Sequence, residues 1–201
     1  MRLCIIILLL SFCFVLKAQT DTSHFIKVHF LYGSKPLKKY RSTENKYFGG
    51  IHGGHVTIET DSIDYGFSPE GKVHIFSHHK NHHSQFIGKC THQLEPYPKG
   101  SKITTFIIPV TKVQYEQIHK IQTDYCAKPP YDYAFFGMRC AASAQDVLGQ
   151  IGIVKKRGKI RNIYSTFYPK KLRRRMFKLA KEKNYKIETQ EGRVTRKWES
   201  D

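Results

Sequence analysis

Three residues in this chain can carry nucleophilic chemistry together: Cys140, His55 and His74. Cys140 lies in Tyr131-Asp132-Tyr133-Ala134-Phe135-Phe136-Gly137-Met138-Arg139-Cys140-Ala141-Ala142-Ser143, where an aromatic segment gives way to small residues. Apolar positions at Cys140, Ala144, Val147, Leu148 and Ile151 follow at helical spacing, so the cysteine is expected at or next to a helix N-terminus. Unpaired backbone N–H groups and the helix dipole there favour an anion, which lowers a thiol pKa and makes it a better nucleophile. The competing reading is a buried cysteine in a helix made of small residues for close packing.

The base must come from elsewhere in the chain. Gly53-Gly54-His55-Val56-Thr57-Ile58-Glu59-Thr60 predicts a strand that His55 opens, behind glycines that let the backbone turn or approach a ligand. Asp61-Ser62 reads as a two-residue turn, Ile63–Phe67 as the returning strand, Ser68-Pro69-Glu70-Gly71 as a second turn, and Lys72–Phe76 as a third strand. In that register the partner of residue i across the first turn is 123 minus i, so His55, Gly66 and His74 share a face. Asp64 and Ser68 line the same face, and Glu59 joins it from the first strand. His78-His79-Lys80-Asn81-His82-His83 lacks a carboxylate or cysteine partner at ligand spacing and is read as an exposed polar loop, so no metal and no cofactor are expected.

The elements around these residues follow from periodicity. Phe25–Tyr32, ended by Gly33, and Lys102–Val110 read as strands. Helices are expected near 112–125, opened by a Thr111/Gln114 capping box, near 140–151, and near 169–183, the last basic and amphipathic. Tyr185–Trp198 has the weak alternation of a hairpin. The expected fold class is a single α+β domain over 20–201, a mainly antiparallel sheet with helices and a basic C-terminal helical extension.

Composition sets the partners. The chain has 201 residues, 40% of them hydrophobic, and a formal charge of +18; 17 of its 34 Lys and Arg fall between Lys155 and Lys197. This suggests attraction to an anionic envelope or lipid surface. Arg2, the apolar run Cys4–Leu16 and Lys17-Ala18-Gln19 read as a signal peptide over 1–19, with a lipoprotein leader disfavoured by Phe12 and an uncleaved anchor the alternative. An exported protein seldom meets nucleic acid, so none is expected as a partner. Export would leave Cys90, Cys126 and Cys140; the first two lie in loop-like surroundings and are the natural disulfide pair, while three reduced thiols are the alternative.

The order of these features resembles the circularly permuted papain-like hydrolases, a group similar to the NlpC-type cell-wall peptidases that includes the lecithin:retinol acyltransferase-like enzymes. The matching residues are Gly54-His55-Val56-Thr57-Ile58, like the family's histidine-bearing strand, and Tyr133 to Gly152, like the segment in which the nucleophile opens a helix. The resemblance covers about half the chain, and Arg139 stands where many members carry Asn. It implies Cys140 as nucleophile, His55 as base and His74 as orienting residue, with Gly53, Gly54, Tyr133 and Arg139 beside the substrate. The activity it implies is that of an exported cysteine hydrolase acting on amide bonds, with cell-wall peptides as partner. A lipid-directed acyl hydrolase or acyltransferase of the same fold is the alternative, and a non-catalytic, basic envelope-binding module is the third.

Overall fold

The computed structural model describes residues 24–46, 54–80, 83–91 and 97–201. Six strands form one antiparallel sheet: β1 (His24–Leu31), β3 (His55–Thr60), β4 (Ile63–Pro69), β5 (Ser84–Cys90), β6 (Ile103–Val110) and β7 (Lys186–Gln190), in the order β5-β4-β3-β1-β6-β7. A two-stranded sheet pairs β2 (Ser34–Pro36) with β8 (Arg196–Trp198). The described helices are α1 (Lys112–Ala127), α2 (Cys140–Gln150), α3 (Lys159–Ser165) and α4 (Pro169–Lys183), with a short 3-10 turn at Lys38–Tyr40. This is the expected α+β class with an antiparallel sheet.

The period of two divides the sheet's faces. Ile26, Val28 and Phe30 of β1, Val56 and Ile58 of β3, and Phe106 and Ile108 of β6 point to one face and are fully or almost fully buried. Against them pack Ile118 of α1, Ala141, Val147 and Leu148 of α2, and Leu172 and Met176 of α4. The opposite face is polar: Lys27, His29, Thr57, Glu59, Asp64 and Thr105 stand there in register. Helices thus cover the apolar face, while most of the polar side chains on the other face are buried in hydrogen bonds to one another and to Tyr97.

Local chemistry sets the boundaries. Thr111 and Gln114 cap α1 reciprocally, the hydroxyl accepting the Gln114 N–H at 3.2 Å and the amide oxygen the Thr111 N–H at 3.0 Å. Asp61 and Ser62 both have positive φ, 48° and 61°, the backbone of a type I′ turn. That turn locks Thr57 opposite Gly66 and Glu59 opposite Asp64, the register expected for a two-residue connection.

Four expectations are corrected. Lys72–Phe76 is not the third strand of the meander; β5, Ser84–Cys90, takes that place and puts Ile87 opposite Gly66. The 72–76 segment instead turns its carbonyls outward, His74 O accepting the Phe135 N–H at 2.7 Å and Ile75 O the Phe136 N–H at 2.9 Å. The tail is not a hairpin, because β7 adds to β6 while β8 is held on β2 by buried Arg196, which donates to Glu44 at 2.9 Å and to the Ser34 hydroxyl at 2.8 Å. The basic α4 is amphipathic as expected, but it is not an appended extension. Its apolar stripe is core, and even Arg173 is fully buried over the Tyr32 ring, paired with Asp201 at 2.5 Å. Lastly, Cys90 and Cys126 are free thiols, as is Cys140. The Cys126 sulfur accepts the Gly88 N–H one pleat away from Cys90, so α1 rests on β5 without a cross-link.

Candidate active site

Cys140 is the first residue of α2, and its predecessor Arg139 is extended, with no side chain capping the helix. The positive end of the helix is thus turned toward whatever anion lies there. The Cys140 sulfur is hydrogen-bonded to the His55 imidazole and receives the Val56 N–H. Tyr133 completes the surround: its oxygen accepts the Cys140 N–H, and its hydroxyl is hydrogen-bonded to the sulfur.

Two glycines allow His55 to be there. Gly54 has φ +86° and passes so close to β1 that a Cβ would fall 1.7 Å from Leu31 O. No side chain fits, and the strand must begin at the next residue. Gly66, beside His55 on β4, would place a Cβ only 3.1 Å from the His55 Nε2 and 3.0 Å from the Thr57 methyl. Its missing side chain is the room that the imidazole occupies.

The electrostatics of the pair run in opposite directions. Burial pushes the Cys140 thiol up, but the His55 charge and hydrogen bond, the Val56 N–H and the Arg139 guanidinium outweigh it, and the thiol sits below its ordinary value. Burial pushes the His55 imidazole down, yet the sulfur's charge, its hydrogen bond and the Asp64 carboxylate raise it above the ordinary value against the opposing charge of Lys89. A thiolate facing an imidazolium is the state that these shifts favour. Burial, first, and the sulfur's charge hold the Tyr133 phenol well above its usual range, so it remains an O–H donor.

A cavity of about 700 Å³ opens on this pair. Its floor is the polar face of the sheet, with His55, Thr57, Asp64 and Gly66, and its walls include Val73, Tyr97, Tyr133, Phe135, Arg139 and Phe167. Arg139 lies 3.7 Å over the Phe167 ring and donates to Phe167 O, which fixes it as wall. Tyr97 donates to Asp64 Oδ2 at 2.9 Å and so accepts from the Thr57 hydroxyl, while the other Asp64 oxygen is buried with no hydrogen-bond partner among the described residues. Farther along this face, Glu59 holds Lys27 at 2.7 Å and His29 Nε2 at 3.0 Å, and His29 Nδ1 meets the Thr105 hydroxyl at 2.8 Å. These hydrogen bonds, opposed by burial, hold the Glu59 carboxyl down at about 2.

His74 stands apart from this group. Its Nδ1 is 2.6 Å from Asp132 Oδ2, its ring stacks on His78 at 3.9 Å, and it does not line the cavity. The expected orienting role is therefore replaced by another: the buried Asp132 carboxylate also accepts the N–H groups of His78 at 2.9 Å and His83 at 3.0 Å, fastening His74, His78 and His83 at one point. The shift of the third strand to β5 is what removes His74 from the His55 face. Asp64 is the acidic group whose charge reaches His55. Gly53, and with it His52 and His82, lies outside the described residues.

The structure thus brings together Cys140, His55, Gly54, Tyr133 and Arg139 and leaves out His74. The sequence reading did not single out Tyr97, Asp132 as a clasp, or the Val56 N–H. A buried Asp between tyrosines was the available signal for the second; nothing in residue type signals the other two. Among the described residues no cluster of His, Cys, Asp or Glu is placed to hold a metal ion. Comparison of the chain with protein-family models, with curated proteins and with solved structures finds no match.

Proposed function

We propose that this chain is an exported cysteine hydrolase of the circularly permuted papain-like type, cleaving amide bonds by a Cys140–His55 mechanism, with cell-wall peptides as the substrate class. The observation that carries the reading is one sulfur at a helix N-terminus hydrogen-bonded to an imidazole and a backbone N–H at the floor of a cavity. In this reading the Cys140 thiolate attacks the amide carbon, and the oxyanion that forms displaces the Tyr133 oxygen from the Cys140 N–H and takes the Tyr133 hydroxyl from the sulfur. The His55 imidazolium gives its proton to the departing amine, leaving an acyl thioester. Neutral His55 then takes a proton from water, whose oxygen attacks the thioester carbon and releases the acid and the thiolate. Asp64 supports the imidazolium by charge alone.

The test is incubation with purified cell wall while following new amino groups. Release of peptide amines by the wild-type chain but not by Cys140→Ala is expected. A Cys140 that resists iodoacetamide in the folded protein overturns the thiol mechanism. A lipid-directed acyl hydrolase or acyltransferase is the second reading, favoured by the exposed aromatic side chains at the cavity mouth. Release or transfer of fatty acyl groups from phospholipid vesicles, with no amine release from cell wall, decides for it.

A further inference from the structure

The cavity mouth carries a surface feature that the amide-hydrolase reading does not use. Phe76 and Phe136 are 66% and 56% exposed and stack at 5.6 Å. The contacts continue from Phe136 to Phe135 at 4.8 Å, from Phe135 to Phe167 at 5.8 Å, and from Phe167 to Tyr168 at 4.8 Å. Ile75, 64% exposed, and Val73 extend the patch, and Val73, Phe135 and Phe167 also line the cavity. A contiguous apolar patch of this kind on a monomer marks a contact surface. It is rigidly built. The Asp132 clasp holds His74, His78 and His83, and the two backbone hydrogen bonds from Phe135 and Phe136 tie His74 and Ile75 to the wall.

Charge selects the occupant. Segments 71–80 and 133–139 contain no Asp or Glu, and Phe167 and Tyr168 lie within 147–181, a stretch with no Asp or Glu and twelve Lys and Arg, of which Arg173 is buried. Exposed aromatic and aliphatic side chains among cations are the composition of a surface that lies in the interfacial layer of an anionic bilayer. The apolar stripe of α4 is already buried in the core, so that helix does not supply the membrane face.

We propose that Phe76, Phe136, Ile75 and Tyr168 insert into the headgroup layer of an anionic membrane and set the cavity mouth against it. The inference goes beyond the hydrolase reading and does not depend on thiol chemistry, so Cys140→Ala should dock as the wild type does.

The test is made on the full chain. Because Cys4–Leu16 is itself apolar, the readout is placed on the patch: Phe136→Trp in a Trp198→Phe background, with vesicles whose acyl chains are brominated. Strong quenching by phosphatidylglycerol vesicles and at least about tenfold weaker response with phosphatidylcholine is expected. Adding Phe76→Ser should weaken the quenching while leaving the melting curve in place. Sedimentation with phosphatidylglycerol vesicles without quenching shows contact through another part of the chain and overturns the proposal, as does no sedimentation at all. Equal quenching by both lipids overturns the choice of an anionic surface. A dimer in light scattering that Phe76→Ser/Phe136→Ser dissolves makes the occupant a second copy and overturns it too.

Discussion

Two histidines, each held by one buried partner, sit in different settings. His55 faces a sulfur whose proton it can exchange, in a cavity open to a substrate. His74 faces Asp132, a carboxylate already committed to two backbone N–H groups, and its ring is covered by His78 and His83. The first pair has a partner that changes charge and space for a reactant; the second has neither. An imidazole near an acidic group is thus read as chemistry or as a fastening by what else the acidic group must hold.

Substitution at the two pairs should separate them most sharply. Cys140→Ala and His55→Ala are each expected to lower turnover by at least about 10³-fold, the scale of losing a nucleophile or its base, while melting stays within a few degrees. Turnover assays paired with calorimetry check this. Asp132→Ala should do the reverse, costing about 2–3 kcal/mol in a urea titration by leaving two N–H groups and His74 unpaired, with kcat/KM of the folded fraction changed less than tenfold. A large loss of turnover without loss of stability at Asp132 would return His74 to the mechanism.

The pH dependence sharpens the contrast at His55. The Cys140 thiol lies below its ordinary value and the His55 imidazole above its own, so the reactive pair is lost at low pH as the sulfur gains a proton and at high pH as the imidazolium loses one. Iodoacetamide alkylation of Cys140 should therefore have a midpoint below the free-thiol value of about 8.5, and His55→Ala should move it upward. A midpoint unchanged by His55→Ala would show that the imidazole does not hold the thiolate.

A smaller effect is expected one strand away. Asp64→Asn removes a charge that favours the His55 imidazolium, so the alkaline limb of kcat should move to lower pH by up to about one unit, with kcat/KM falling less than tenfold. A purely structural Asp64 would lower the melting temperature and leave that limb in place.

Much of the positioning framework was legible because it is written in short-range chemistry. The Thr111/Gln114 capping box, the helical spacing after Cys140, and the two-residue turn at Asp61-Ser62 each act within a few residues, and each appears where expected. From that turn alone came the shared face of His55, Gly66 and Asp64. The third strand was misplaced because Lys72–Phe76 alternates better than Ser84–Cys90, whose Gly88 weakens the pattern. What decides between them is Asp132, a residue some sixty positions away that draws His74 out of the sheet, and local periodicity carries no trace of it. The short α3 went unpredicted for a similar reason: its seven residues include a buried Asn162 and exposed Ile160 and Tyr164, which invert the amphipathic pattern.

The central strand of the sheet has a consequence in time. β1 pairs along its length with β6, from His24 opposite Val110 to Leu31 opposite Ile103, so the middle of the sheet joins segments some seventy to ninety residues apart. Long loops must close before those contacts repay the entropy lost, which places such a chain among slow folders, on the order of milliseconds to seconds. In the unfolded chain Cys140 is an ordinary thiol; it acquires His55, the Val56 N–H and Tyr133 only when β3 has docked on β1 and α2 has packed beneath them. Its alkylation rate during refolding is therefore a clock for the last assembly step, running slow until the sheet has closed and fast thereafter.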